Sequence, residues 1–277
     1  MVGGGATAKR SGVTPLLRND LAGAASASLP PNDLLQRIRP AERSRLLGFL
    51  ELVPVDAGTA LCTSETDLRY VWFPHDAVAS TVVPMPEGEA VDVGLLGPEA
   101  LVGTDPLYGG RRSATTVVVQ IAGHAGRMDA DDFRREVVVR NGEPYGVFLR
   151  FAAAYQRMMA QLGACNARHA LLQRLARLLL MLDDRRAPKA IDITHDRLAD
   201  MLAARRASIT EAANALRHSG ALEYRRGHIA IRDRRPLLAA SCACYPVVAR
   251  LVSRAEPAGG GRRNRFAKPR KAVERWK

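Results

Sequence analysis

Between Ile193 and Gly220 the chain carries the pattern that most limits how it can fold: two short amphipathic helical stretches divided by a three-residue break. Thr194 stands as an N-cap before the first stretch, whose apolar residues Leu198, Met201 and Leu202 share one side. In the second stretch Ile209, Ala212, Ala213 and Leu216 fall at i, i+3, i+4 and i+7, the spacing of a buried helical face. Gly220 closes it as a left-handed C-cap. The other side of the second stretch, with its first turn, holds Arg205, Arg206, Ser208, Thr210, Glu211, Asn214 and Arg217. Directly downstream, Ala221–Ile231 reads as two strands turned at Arg225-Arg226-Gly227, a small wing that also carries His228.

A tight helical pair with a polar outward ridge on its second member fits the major groove of duplex DNA, where the first residues of that helix reach base edges. Thr194 and the ridge residues are thus candidate DNA-binding residues, with Arg225, Arg226 and His228 poised over phosphates. The charge distribution agrees. Residues 1–165 carry 16 basic and 18 acidic side chains, whereas residues 166–277 carry 25 and 10. A near-neutral half joined to a strongly basic one suggests one part that senses or assembles and another that meets a polyanion.

Upstream the texture differs. Residues 1–29 read as a flexible leader, and Pro30-Pro31 with Asn32 or Asp33 opens a short helical turn before a second one from Glu42 to Leu50. From Val53 to about Met128, runs rich in Val, Thr and Leu are broken by Gly, Pro and Asp every 8–12 residues or so, the spacing of an antiparallel roll or sandwich. Gly58–Cys62, Tyr70–Phe73, Val78–Val83, Ala90–Leu95 and Ala114–Ile121 are the expected strands. Phe148, Phe151, Ala152, Tyr155, Met158, Met159 and Leu162 then form one long apolar helical stripe, followed by a Leu-rich helix from Arg168 to Leu182. Such a stripe calls for a partner surface, and a parallel helix from a second subunit is the expected one. The fold class expected is α+β: an antiparallel, jelly-roll-like β-roll over 30–142, a dimerisation helix and connector over 143–187, a winged helix-turn-helix over 188–254, and a basic tail over 255–277.

A β-roll, a long helix and a winged helix-turn-helix in that order resemble the Crp/Fnr family of bacterial transcription regulators, over roughly residues 30–250. Ile193-Thr194, Leu198-Ala199, Arg206-x-Ser208-Ile209-Thr210, Gly220-Ala221-Leu222 and the Arg-Arg-Gly-His-Ile wing carry the likeness. It implies a homodimer that reads a two-fold symmetric operator on double-stranded DNA, and RNA polymerase as the further partner of such a regulator. Two departures concern base reading: Ala207 stands where the family commonly has Glu, and Glu211 where it commonly has Arg. A glutamate accepts from cytosine N4 and cannot donate to guanine, so the half-site preference should differ. Ala203 also replaces the usual turn glycine, which is tolerable if it stays out of the left-handed region.

Relatives that bind cyclic nucleotides use a Gly-Glu-Leu segment and a later Arg-Ser/Thr-Ala segment. Here Arg112-Ser113-Ala114 is present, but Gly103 is followed by Thr104 and Asp105, with no Glu. Gly103, Thr104, Arg112 and Ser113 are the candidate effector-binding residues, and the residues do not favour a cyclic nucleotide; no cofactor is expected. The family's iron–sulfur sensing needs several N-terminal cysteines, and residues 1–61 contain none. Cys242-Ala243-Cys244 lacks two further ligands at zinc spacing, His228 being the only nearby candidate, so no metal is expected. No Gly-x-Ser-x-Gly, phosphate-binding glycine loop or His-Glu-x-x-His occurs, so an enzyme is not expected. No stretch nears the ~20 apolar residues of a membrane span, and the N-terminus lacks the ~7–15-residue apolar core of a signal peptide. A cytoplasmic protein with reduced thiols and no membrane partner is the expectation. The alternative function is a ligand-gated interaction module, its roll binding a nucleotide and its C-terminal half docking a protein.

Overall fold

The computed structural model describes residues 30–86, 90–186, 191–225 and 228–254; the leader, the boundary near residue 188, Arg226 and the tail over 255–277 lie outside them. Asn32 accepts from the Leu35 amide at 3.0 Å and starts a single turn, Leu35–Arg37, before helix α1 (Pro40–Leu47). The β-block follows as two antiparallel sheets. β1 (Glu51–Val55), β7 (Gly123–Asp129) and β3 (Tyr70–Pro74) make one, in that order. β2 (Ala60–Cys62), β6 (Thr116–Ile121), β4 (Val78–Pro84) and β5 (Ala90–Leu96) make the other.

The five expected strands are all present, with ends displaced by two residues or fewer. β1 and β7 go beyond those five, and each has a weak strand signal for a physical reason. Pro54 lowers the strand signal of β1, and it is tolerated because that strand lies at an edge. Gly-His-Ala-Gly-Arg-Met-Asp has weak strand propensity, yet β7 is the central strand of its sheet. Close approach explains the glycine: a Cβ on Gly123 would stand 2.5 Å from the Ala77 nitrogen.

After β7 a short helix, α2 (Ala130–Phe133), capped by Asp129, runs into a wider π turn over Arg134–Val139. Helix α3 (Glu143–Arg168) is the long one, and α4 (Leu171–Arg186) follows after a break at His169. The apolar stripe of α3 is largely covered within the chain. Phe148, Phe151 and Ala152 are buried in the core of the roll, while Met158 and Leu162 are buried with α4 and the C-terminal segment. The outer edge of α3, with Ala153, Arg157, Ala160, Gly163, Ala164 and Ala167, is left exposed. Seven strands and a further helix cover most of the large apolar side chains of this helix within one chain, and the small residues of its outer edge stay exposed.

Past α4 come strand β8 (Ile191–Asp192), helices α5 (His195–Leu202) and α6 (Arg206–His218), strands β9 (Leu222–Arg225) and β10 (His228–Ile231), and helices α7 (Arg234–Ala240) and α8 (Cys244–Arg254). β10 lies between β8 and β9, all antiparallel. Polar groups under cover tie α4 to the roll and this segment to α4. Arg185 on α4 donates to Glu99 of the roll from Nε at 2.9 Å, with both side chains almost fully buried. The Tyr245 hydroxyl on α8 donates to Asp184 at 2.9 Å, and Arg234 on α7 donates to the same carboxylate at 2.8 Å.

Candidate nucleic-acid interface

Thr194 caps α5, accepting from the Arg197 amide at 3.2 Å, and Leu198, Met201 and Leu202 point inward as their spacing predicts. Ala203 ends the helix at φ 46°, ψ 57°. It therefore does occupy the left-handed region, contrary to the condition under which its replacement of glycine would be free of strain; the Cβ crowding costs roughly 1–2 kcal/mol. The turn keeps this shape because the Ala204 amide must reach the Ala199 carbonyl, at 3.0 Å, to bring α6 across α5. Gly220 sits at φ +77° at the end of α6, as its placement predicts.

On α6 the faces separate cleanly. Ile209, Ala213 and Leu216 are buried, while Arg205, Arg206, Glu211, Asn214 and Arg217 are exposed and Ser208 is half-buried. Among the described residues, the side chains of Ser208, Glu211, Asn214 and Arg217 have no hydrogen-bond or ion-pair partner within the chain. Thr210 differs. Its hydroxyl donates to the Arg206 carbonyl at 3.0 Å and lies 3.0 Å from Nδ1 of His195, so it fastens α6 to α5. The His195 ring lies against Tyr224 of β9 at 4.6 Å, and burial, with Arg206 nearby, holds its pKa below the ordinary histidine value. A neutral His195 donating from Nδ1 to Thr210 fits that environment.

Arg206 pairs with Asp196 at 3.2 Å, but both side chains are more than half exposed, so the pair is worth under about 1 kcal/mol and leaves the guanidinium free to turn to a phosphate. On the wing, His228 pairs with Asp192 at 2.5 Å, also in the open. Arg225 closes β9 opposite His228 in the ladder, and Arg226 lies outside the described residues.

Behind the helical pair, α5 and the turn face β4, β5 and β6 of the roll across a cleft of about 810 Å³, lined by Asp92, Gln120, Arg197, Asp200 and Arg205 among others. Burial pushes the Asp92 carboxyl up to about 6, against the opposing pull of Ser80 and Arg197.

The candidate effector residues fare otherwise. Gly103 is buried at φ +80° against Leu68. The Ser113 hydroxyl is buried and donates to the Thr115 carbonyl at 2.7 Å. The Ala114 amide, the N–H group a phosphate would use, donates instead to Asp105 at 2.9 Å. Arg112 points to solvent beside Asp67 and Glu65 at 3.8 and 4.0 Å. Thr104 precedes the single turn Asp105–Tyr108 and makes no side-chain cap. The Ser113 hydroxyl and the Ala114 amide are thus both engaged within the chain.

The fold does bring together a group that spacing along the chain did not reveal. Cys165 and His169, at the end of α3, meet Cys242, in the link after α7, and Cys244, the first residue of α8. His228, the candidate partner named from the sequence, is bonded to Asp192 instead.

Residues 173–240 match the Crp-like helix-turn-helix domain family. FixK2 from Bradyrhizobium japonicum is similar in structure, with a TM-score of 0.60 and 14% identity over 70% of this chain and 98% of FixK2. A CRP-family transcriptional regulator from Thermus thermophilus gives 0.57 and 17% over 68% and 96%. The c-di-GMP-responsive global regulator CLP from Xanthomonas campestris gives 0.53 and 13% over 70% and 99%. No curated protein sequence matches. Among the described residues no single helix is long and apolar enough to cross a membrane. Residues 173–240 are thus a Crp-like helix-turn-helix domain, carried in a chain with the fold of the Crp/Fnr transcription regulators.

Proposed function

We propose that the protein is a sequence-specific transcription regulator that binds double-stranded DNA as a homodimer, each copy placing α6 in the major groove of one half-site of a two-fold symmetric operator. One observation carries the reading: along α6 a ridge of Ser208, Glu211, Asn214 and Arg217 stands opposite a buried apolar face and has no partner among the described residues. Hydrogen-bonding groups left open in a row on one helix face suit base edges. Arg205 and Arg206 at the helix start, with Arg225, Arg226 and His228 on the wing, take the phosphates, and Thr194 and Thr210 hold the helical pair in shape. The small, exposed edge of α3 is where a second copy would approach. RNA polymerase is a further partner in this reading, and no catalysis is part of it.

Selection of bound genomic fragments by the purified protein, followed by titration at several salt concentrations, tests this. Binding should fall with a log–log slope of about −0.9 per phosphate contacted. Glu211→Ala should change the preferred base at one position per half-site by about 1–3 kcal/mol, whereas Arg226→Ala should weaken all operators alike, and neither should move Tm. Equal effects on every operator variant would refute the role assignment; no preference over competitor DNA would refute the function.

A further inference from the structure

We propose that Cys165, His169, Cys242 and Cys244 bind one zinc ion, which clamps the end of the long helix to the C-terminal segment. The four ligand atoms, one from each side chain, all lie within 4.8 Å of one another. The Cys165 and Cys242 sulfurs are 3.4 Å apart, and Cys244 Sγ is 3.7 Å from Nδ1 of His169. A tetrahedral zinc site with Zn–S of about 2.3 Å and Zn–N of about 2.0–2.1 Å places neighbouring ligand atoms roughly 3.5–3.8 Å apart. Cys165 and His169 are one helical turn apart and so share a face at the end of α3, while Cys242 and Cys244 flank Ala243 at the start of α8.

The charge balance points the same way. Arg177 of α4 is 4% exposed, and its Nε and one terminal nitrogen have no hydrogen-bond partner among the described residues. Its other terminal nitrogen donates to Asn166, a neutral amide, at 3.3 Å, and burial lowers its pKa. A buried cation without a counter-charge is costly. Binding one Zn²⁺ releases three thiol protons to solvent and leaves three thiolates, a neutral imidazole and the ion, a net charge of −1 that Arg177 balances. Three buried thiols packed merely as small apolar groups leave the guanidinium unexplained. Gln161 supplies an outer contact, its Nε2 donating to Cys244 Sγ at 3.1 Å. An iron–sulfur cluster fits less well, because each ligand then binds its own iron and the ligand atoms spread around a polynuclear core, not a single centre.

Zinc joins elements 77 positions apart in the chain, α3 on one side and the link between α7 and α8 on the other. Metal binding is therefore expected to stabilise the packing of α8 on α3.

The test uses the full-length chain, prepared under reducing conditions without chelator. Elemental analysis should find one zinc per chain in the wild type and in Cys62→Ser, whose cysteine lies in the roll, and at least a tenfold loss in Cys242→Ser and Cys244→Ser. Cobalt(II) titrated into the metal-free chain should develop sulfur-to-metal charge-transfer bands and the intense d–d bands of a tetrahedral thiolate site. His169→Cys should keep one metal with an altered cobalt spectrum, which separates loss of a ligand from loss of folding. Chelation should lower Tm, one equivalent of zinc should restore it, and Cys242→Ser should show neither change. Sub-stoichiometric metal without cobalt bands, or metal retained by Cys242→Ser, would each overturn the proposal. DNA binding enters none of these measurements, so the zinc site and the regulator function fail separately.

Discussion

Two stretches of this chain pair an arginine with a nearby serine in the manner of a phosphate grip, and the fold treats them oppositely. In Arg112-Ser113-Ala114 the serine hydroxyl and the Ala114 amide are both engaged within the chain, by Thr115 and Asp105. In Arg206-x-Ser208 and the ridge beyond it, Ser208, Glu211, Asn214 and Arg217 face outward without partners among the described residues. The same residue types therefore mean different things. A polar group is available to a ligand only when the surrounding chain has not already satisfied it, because a hydrogen bond made internally must be broken before a new one forms. By that criterion the C-terminal ridge is open to a ligand, whereas the Ser113 hydroxyl and the Ala114 amide are already taken.

Several substitutions can break or sharpen this contrast. The largest effect should come from a pair wholly engaged inside. Glu99→Ala strips the counter-charge from buried Arg185 and should cost about 3–5 kcal/mol in denaturant unfolding. A loss under about 1 kcal/mol would show that the roll and the C-terminal segment are joined by something else.

Asp92 comes next, at the cleft behind α5. Its folded pKa, about 6, is raised above the unfolded carboxyl value, so its contribution is fully present below about pH 4 and is lost as pH rises through 6. Above that the half-buried carboxylate opposes folding. Asp92→Asn should therefore stabilise the protein at pH 8, by roughly 1–2 kcal/mol after discounting for partial exposure, and have little effect at pH 4.5. Equal gains at both pH values would show that charge is not the cause.

Ala203→Gly should stabilise by roughly 0.5–1 kcal/mol, the relief of left-handed strain less the added freedom of the unfolded chain. Thermal unfolding reads it, and a decrease in Tm would count against the turn geometry. Smallest of all is Arg112→Ala. Its two ion pairs are exposed and long, so the change should stay within about 0.5 kcal/mol and leave calorimetric titrations with cyclic nucleotides as they were. Tight nucleotide binding that this substitution abolishes would erase the contrast.

Much of the architecture was legible along the chain. The helix-turn-helix was, because capping by Thr194, the i, i+3, i+4, i+7 set from Ile209 to Leu216 and the closing Gly220 are all local signals. Five strands of the roll were, from their Val- and Thr-rich runs. β7 was not, since a strand holding two glycines, a histidine and an arginine is specified by the neighbours it must pass closely, as Gly123 passes Ala77. The ridge was legible as a set of residue types, but Thr210 could not be told from Ser208 until the histidine that engages it was in place.

Local order along the chain thus determined the element types, the basic half and the polar side of α6, for these depend on spacing and composition alone. Only the three-dimensional arrangement decided which large side chains of α3 are covered from within, which polar groups are already satisfied, and that Cys165 and His169 meet Cys242 and Cys244. Contacts between residues many tens of positions apart leave no periodic trace in a sequence. They arise when separate elements pack, and packing is settled by the shape and burial of the whole chain.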